Sequence, residues 1–480
     1  MSTNQTKTNW AQFIPLASVF FFWGFVAASN DILIPVFKKA FDLSQAQSQL
    51  VSVAFYIAYT VGSLIYLLIS YLTKGDLINR MGYKNSLALG LVISAVGTLL
   101  FYPAANLGSF PLMLSGLFIV ALGFSLQQTV ANPLAIALGP ITTGSQRLTL
   151  AGGINNFGTT IGPLIVSFAI FGSAVNGNDN NMSIESVKIP YLVLGAAFLL
   201  VAIFLKFSSL PDKPEIVVES DDISIKKDRN SALKYPQLIL GMIAIFVYVG
   251  VEVSTASNLP AYMEKDLGFL TNEIAPYISL YWASLMIGRW TGAVEAFTDK
   301  MNLQKILRFI APYVAFGVFL LVNAIAKHDL SPFYIYALII LVLILADMAS
   351  KGNPARMLLI FSGLGILALL VGMSTTGMVS VYAFTSVGLF CSTLWPCIFT
   401  LAVSGLGKNT SQGSSFLIMM IMGGGLISLL QGYVADLTTI HSSYIVGVIC
   451  FAYLAFYAWK VKGILNEQGI NFDKKISGGH

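Results

Sequence analysis

The residues of this chain that could do chemistry are few, and most of them are embedded in apolar sequence. Asp31 lies within the run from Phe20 to Pro35, and on a helix it shares a stripe with Trp23, Ala27, Asn30 and Ile34. A carboxylate at the centre of a membrane-spanning helix costs about 2.5–3.5 kcal/mol on insertion scales, so its presence calls for an explanation. Further along, Phe124, Gln128 and Asn132 form a second stripe, with Gln127 and Pro133 alongside. Gly152, Asn155 with Asn156, and Thr159 form a third. In the second half Glu252, Thr255 and Asn258 are stacked, Trp282, Met286 and Arg289 share a face, and Trp395 stands beside Pro396. Amides both donate and accept, as sugar hydroxyls require, and an aromatic ring can lie against the apolar face of a pyranose. A buried carboxylate can take up and release a cation as its surroundings change. The set therefore suits a polyhydroxylated solute and a coupling ion. The plainer alternative for each residue is structural. An amide can bond a neighbouring helix, a tryptophan can serve as packing, and Glu252 can pair with Arg289 instead of taking part in coupling.

Other chemistries find little support. The three cysteines, Cys391, Cys397 and Cys450, fall inside apolar runs and read as packing residues, and the histidines at 328, 441 and 480 have no partner at metal-ligand spacing. Neither Gly152-Gly153 nor Gly423-Gly424-Gly425 follows a strand, which argues against phosphate cradling and for close helix approach. The expectation is no enzyme, no cofactor and no metal site.

The elements that position these residues are spanning helices. With 56% of residues apolar and 10% charged, the chain reads as an all-α membrane protein whose solvent is mostly lipid. Apolar runs at about 12–37, 47–73, 85–103, 109–138, 146–174 and 188–206 give six spans. The charged, proline-containing stretch at 206–235 then reads as a linker. Runs near 236–264, 272–297, 303–326, 332–349, 357–374, 378–405, 410–437 and 442–462 follow, which brings the number of spans to fourteen. With the N-terminus inside, only Lys38, Lys39, Lys188, Lys265 and Lys327 fall in outer segments, so the basic residues place both termini in the cytoplasm. The net charge of +5 follows from this topology and gives no reason to expect a nucleic-acid partner. The halves also echo one another. Ser29-Asn30-Asp31-Ile32-Leu33-Ile34-Pro35 is answered by Thr255-Ala256-Ser257-Asn258-Leu259-Pro260, and the stretch Gly75–Lys84 by Phe297–Asn302. Such repeats are a feature of transporter folds.

The order of motifs resembles the major facilitator superfamily and, within it, the fucose–galactose–hexose permease group. The residues that carry the resemblance are Asn30–Pro35, Gln128–Pro133, Asn155–Gly158, Gly288–Gly292, Gly413–Phe416 and Gly423–Gly425. The loop Asn79-Arg80-Met81-Gly82-Tyr83-Lys84 is similar to the superfamily's loop after the second helix, with Asn where Asp is usual. The resemblance covers nearly the whole chain. It implies two six-helix bundles related by pseudo-symmetry: an N-terminal bundle over 1–205, a cytoplasmic linker over 206–235, a C-terminal bundle over 236–463 and a cytoplasmic tail over 464–480. Because the family core has twelve helices, the spans within 303–349 read as an inserted hairpin, and the span that follows as the ninth core helix.

The resemblance further implies alternating access, with Asp31 at the position that exchanges a proton in the fucose:proton symporter. That symporter has a second acid where this chain has Gln128, which is similar to the glucose/galactose branch. The resulting expectation is a secondary transporter importing a hexose-type monosaccharide with a proton. A sodium-coupled symporter, a carrier of another small solute and a non-transporting sugar sensor are the alternatives. Asp31 and Glu252 are expected to couple the cation. Trp23, Asn30, Gln127, Gln128, Asn132, Asn155, Asn156, Asn258, Trp282 and Trp395 are expected to line the sugar site, with Arg80 and Arg289 gating it or holding the structure. The expected setting is a bacterial inner membrane, with lipid and monosaccharide as partners and a monomeric protein.

Overall fold

The computed structural model describes residues 8–41, 45–73, 77–140, 143–171, 188–212, 231–269, 271–298 and 300–472. The first half contains α1 (Trp10–Ala40), α2 (Gln45–Leu72), the short α3 (Leu77–Met81), α4 (Tyr83–Leu99), α5 (Phe101–Asn106), α6 (Phe110–Ala137), α7 (Gly144–Phe171) and α8 (Lys188–Phe207). The second half contains α9 (Pro236–Leu267), α10 (Thr271–Gly292), α11 (Met301–Ile325), α12 (Tyr336–Ser350), α13 (Pro354–Ser374), α14 (Gly377–Cys391) and α15 (Leu394–Val403). It continues through α16 (Thr410–Met419), α17 (Gly423–Leu437), α18 (Ile440–Ser443) and α19 (Ile445–Glu467). Eleven helical segments among the described residues are long and apolar enough to cross a membrane. With α1, α7 and α10 the spans number fourteen.

Two of the expected continuous spans are jointed near their middles. The span expected over 378–405 is α14 and α15, separated at Ser392 and Thr393, and the one over 410–437 is α16 and α17, joined by a 3-10 turn at Met420–Met422. Joints of this kind are compatible with lipid only where the loosened backbone is covered by protein. The first of these spans meets that condition, since 94% of its most apolar window is buried inside the protein.

The two halves pack alike. Helix α1 lies along α7 as α9 lies along α17, and α2 lies on α6 as α10 lies on α14. Helix α4 is held by α6 and α8, and α13 is held by α14 and α19. Close approach in the matching pairs depends on glycine. A Cβ on Gly24 of α1 would stand 2.1 Å from the Asn155 carbonyl oxygen of α7, and one on Gly423 of α17 would stand 2.0 Å from that of Phe246 on α9. The hairpin of α11 and α12 packs against α10, α13 and α14, and among the described residues the first half has nothing corresponding to it. It carries its own buried ion pair, Arg308 Nη1 to Asp347 Oδ2 at 2.7 Å.

One end of the molecule gathers the start of α1, the segment after α8, the start of α9 and the chain after α19. Trp10 stacks on Phe297 with ring centroids 5.2 Å apart, and the Tyr83 amide donates to the Asp212 carbonyl at 2.8 Å. Gln237 and Gln468 exchange amide hydrogen bonds at 3.0 and 2.9 Å. The halves are joined from this end to mid-depth. Tyr83 and Ser411 hydroxyls are 3.4 Å apart, Ser414 donates to the Thr129 carbonyl at 3.0 Å, and Thr60 donates to that of Met419 at 3.0 Å.

Candidate functional site

Trp23 is the fourteenth residue of α1, Tyr59 the fifteenth of α2 and Gln128 the nineteenth of α6, so the three meet near the middle of their helices. Gln128 Nε2 donates to the Tyr59 hydroxyl at 3.1 Å. Aromatic rings enclose the group. Phe124 stands 6.4 Å from Trp23 and 6.2 Å from Phe55, and Phe55 meets Tyr59 edge-on at 5.6 Å. Ser125 fastens α6 to α2 by donating to the Tyr59 carbonyl at 3.0 Å.

The expected sugar-lining residues whose side chains are described divide into two groups by exposure. Trp23, Asn155, Asn258, Trp282 and Trp395 are part-exposed, as is Glu252. Gln127, Gln128, Asn132 and Asn156 are buried. Gln127 Nε2 donates to Ser94 Oγ at 3.1 Å, directing this residue toward α4. The Oε1 atoms of Gln127 and Gln128 and both polar atoms of Asn132 are buried with no hydrogen-bond partner. Buried polar groups usually find one, so these orphans mark α6 as a segment with a polar task, as those of Tyr248, Ser254, Thr255 and Tyr262 mark α9.

Asn155 and Asn156 are adjacent and do different work. The Asn155 Nδ2 donates to the Phe20 carbonyl at 3.0 Å, tying α7 to α1 beside Trp23. Asn156 Oδ1 accepts from Arg289 Nη1 of α10 in the other half. Arg289 also donates to the Ser392 carbonyl at 2.9 Å through Nε and to the Gly152 carbonyl at 3.2 Å. Trp290 Nε1 donates to the Gly153 carbonyl at 3.3 Å. The glycine pair of α7 thus lets the side chains of α10 reach its backbone. Arg80, the other expected gating residue, is exposed and donates to the Thr73 carbonyl at 2.8 Å, closing its own loop.

In the second half Glu252 stands midway along α9, with the Tyr248 hydroxyl beside it and the charge of Arg289 nearby. The direct pairing of Glu252 with Arg289 considered from sequence is not the bond that forms, because the guanidinium is taken up by Asn156, Gly152 and Ser392. Tyr248 lies 6.2 Å from Trp395, and Tyr281 donates to the Glu252 carbonyl at 2.7 Å while meeting Trp282 edge-on at 5.5 Å. Asn258 donates to the Ser254 carbonyl of its own helix at 2.8 Å. Asn30 and Asp31 belong to α1, and their side chains lie outside the described residues.

The arrangement is a set of part-exposed aromatic and polar side chains at mid-depth on helices of both halves, with the halves joined toward the end where α1 starts and α19 ends. Residues 16–344 match the model of the Major Facilitator Superfamily. The chain belongs to that superfamily. The glucose/galactose transporter of Brucella abortus biovar 1 (strain 9-941) is 33% identical over 444 residues, covering 92% of each chain. The L-fucose-proton symporter of Escherichia coli (strain K12) is 29% identical over 476 residues, covering 95% of this chain and 94% of that one. A solved structure of the superfamily transporter FucP in the outward conformation superposes with a TM-score of 0.68 at 26% identity, covering 94% of this chain and 98% of that one. Within this superfamily frame, sequence reasoning missed Tyr59 and Tyr248, which connect the expected residues. Each is one tyrosine among 20 in an apolar span, and no motif set them apart.

Proposed function

We propose that this protein is a secondary transporter that imports a hexose-type monosaccharide by alternating access, driven by a proton taken up at Asp31. The observation that carries the reading is the mid-depth pairing of accessible aromatic faces with amides and an acid, contributed by both halves of a superfamily chain. Trp23, Trp282 and Trp395 supply faces for the apolar side of a pyranose ring, and Asn155 and Asn258 supply hydroxyl partners. Similarity to the glucose/galactose transporter and to the L-fucose-proton symporter supports a sugar as substrate.

In this reading both termini are cytoplasmic, in a bacterial inner membrane, and the joined end is the inner one. The conformation is then outward-facing, with Arg289 and Asn156 as part of the closed inner gate. Asp31 loads a proton from outside, Glu252 is the second acid able to respond to the coupling ion, and sugar binding favours closure over the site. Gln128 in the place of a second acid favours one further reading, sodium as the coupling ion. The deciding experiment is uptake of a labelled hexose panel into proteoliposomes of the purified protein, with proton and sodium gradients imposed separately. Concentrative hexose uptake that follows the proton gradient is expected. No hexose entry under either gradient overturns the sugar reading, and accumulation that follows sodium alone overturns the proton.

A further inference from the structure

Prolines and a helix joint leave certain backbone carbonyls without their helical donors, and the seam between the halves makes use of them. Within α6, Pro133 has no N–H, so the Thr129 carbonyl four residues earlier lacks its helical partner. That carbonyl accepts from Ser414 Oγ of α16 at 3.0 Å, across the boundary between the halves. At the joint between α16 and α17 the Gly423 N–H turns to the carbonyls of Ile421 and Met420, which leaves that of Met419. Thr60 of α2 donates to it at 3.0 Å, again from the other half. In α15, Pro396 has no N–H for the Ser392 carbonyl. Arg289 Nε takes that carbonyl at 2.9 Å, while Nη1 of the same guanidinium crosses the seam to Gly152 and Asn156. Resting on the transport reading above, we propose that these freed carbonyls are the switch of the inner gate, and that Ser414 is a gating residue whose hydroxyl serves the Thr129 carbonyl only while the gate is closed.

The physical grounds lie in what each carbonyl has without the seam. A carbonyl paired within its helix keeps that bond in every conformation, so a side chain that adds a second one contributes little. An acceptor without a helical donor must find another wherever water is shut out, and leaving it bare is costly. Thr129 and Ser414 are both buried, and the Thr129 hydroxyl is itself occupied, donating to the Ser125 carbonyl at 2.9 Å. When the halves part, water can take the place of Ser414. The bond therefore weighs on the closed conformation, and Pro133 is what gives it weight. Helix α6 and the pair α14 and α15 hold corresponding places in their halves, so the two prolines set one freed carbonyl on each side of the seam.

The test uses Cys397, whose buried sulfur lies 3.9 Å from Ser145 Oγ across the seam, as the single cysteine in a protein carrying Cys391→Ser and Cys450→Ser. Its rate of labelling by a membrane-permeant maleimide is measured in proteoliposomes for Ser414→Ala, Pro133→Ala and the double variant. Ser414→Ala is expected to raise the rate about tenfold, the scale of one buried acceptor left unpaired. Pro133→Ala returns an N–H to the helix, so in that background Ser414→Ala is expected to change the rate by less than about twofold. An unchanged rate in Ser414→Ala, or an equal rise in both backgrounds, would overturn the proposal. Should Pro133→Ala fail to fold, Ser414→Thr takes its place. It keeps the donor and is expected to label at the unsubstituted rate, and labelling as fast as in Ser414→Ala would overturn the proposal. The rates are read without sugar, so the gate and the hexose reading fail separately. The expected rates in a protein that takes up no hexose would leave the gate standing for another solute.

Discussion

Arg289 of α10 donates to the side-chain oxygen of Asn156 on α7, so the two halves of the protein are held together by a charge-assisted hydrogen bond in a buried seam. Hydrogen bonds to charged groups contribute about 1.5–3 kcal/mol, more than most single contacts at such a boundary. Asn156→Ala is therefore expected to shift the closed seam toward opening by about tenfold or more. The chain contains its own reporter. Cys397 is buried in the same seam with its sulfur 3.9 Å from Ser145 Oγ of the other half. With Cys391 and Cys450 replaced by serine, its rate of labelling by a membrane-permeant maleimide should rise in Asn156→Ala and in Arg289→Ala. Labelling at the unsubstituted rate in both variants would mean that this bond does not hold the seam.

Asp31→Asn separates coupling from recognition. An amide keeps the size of the carboxyl group but cannot exchange a proton at physiological pH. Uphill accumulation driven by a proton gradient should fall to the equilibrium level, while exchange of labelled for unlabelled sugar continues at a substantial fraction of the normal rate. Accumulation that survives in proteoliposomes would remove Asp31 from the coupling step.

Much of the fold could be read from the sequence because lipid constrains a chain severely: long apolar runs, a charged linker and the distribution of lysines leave few arrangements. The joints at Ser392–Thr393 and Met420–Met422 could not be read, since what permits them is burial by other helices, a tertiary property. The site shows the same division. Trp23, Gln128 and Asn156 stood out as polar or aromatic residues on helical stripes. Which of them contacts solvent, which contacts a tyrosine and which crosses to the other half depends on rotation about helix axes, to which a stripe is blind. Gln128 and Asn156 are examples: one donates to Tyr59 and the other accepts from Arg289.

Glu252 should behave differently from Asp31. Its carboxylate lies beside the Tyr248 hydroxyl, close enough to Arg289 to feel its charge without taking it as a partner. Glu252→Gln removes an ionisable group from the candidate site and leaves the seam's hydrogen bonds in place. Concentrative uptake is expected to fall several-fold with exchange preserved, a smaller loss than in Asp31→Asn. Equal accumulation by Glu252→Gln and the unsubstituted protein, measured under the same proton gradient, would leave Glu252 without a coupling role.

The hairpin of α11 and α12 offers a test of structure alone. Arg308 and Asp347 are both buried, and the guanidinium also donates to the Asp347 carbonyl at 3.3 Å. Removing one member of a buried pair costs about 3–5 kcal/mol, whereas replacing both with apolar residues of similar size is often near neutral. Arg308→Met and Asp347→Leu should each lower the thermal stability of the purified protein clearly, and the double variant should recover most of the loss. The end of α12 also touches the seam, since Gln146 of α7 donates to the Gly352 carbonyl at 3.2 Å in the turn to α13. Transport should therefore follow stability through this series, weakened in the single variants and restored in the double one. A double variant as unstable as the worse single one would show that the pair contributes more than mutual neutralisation to the hairpin.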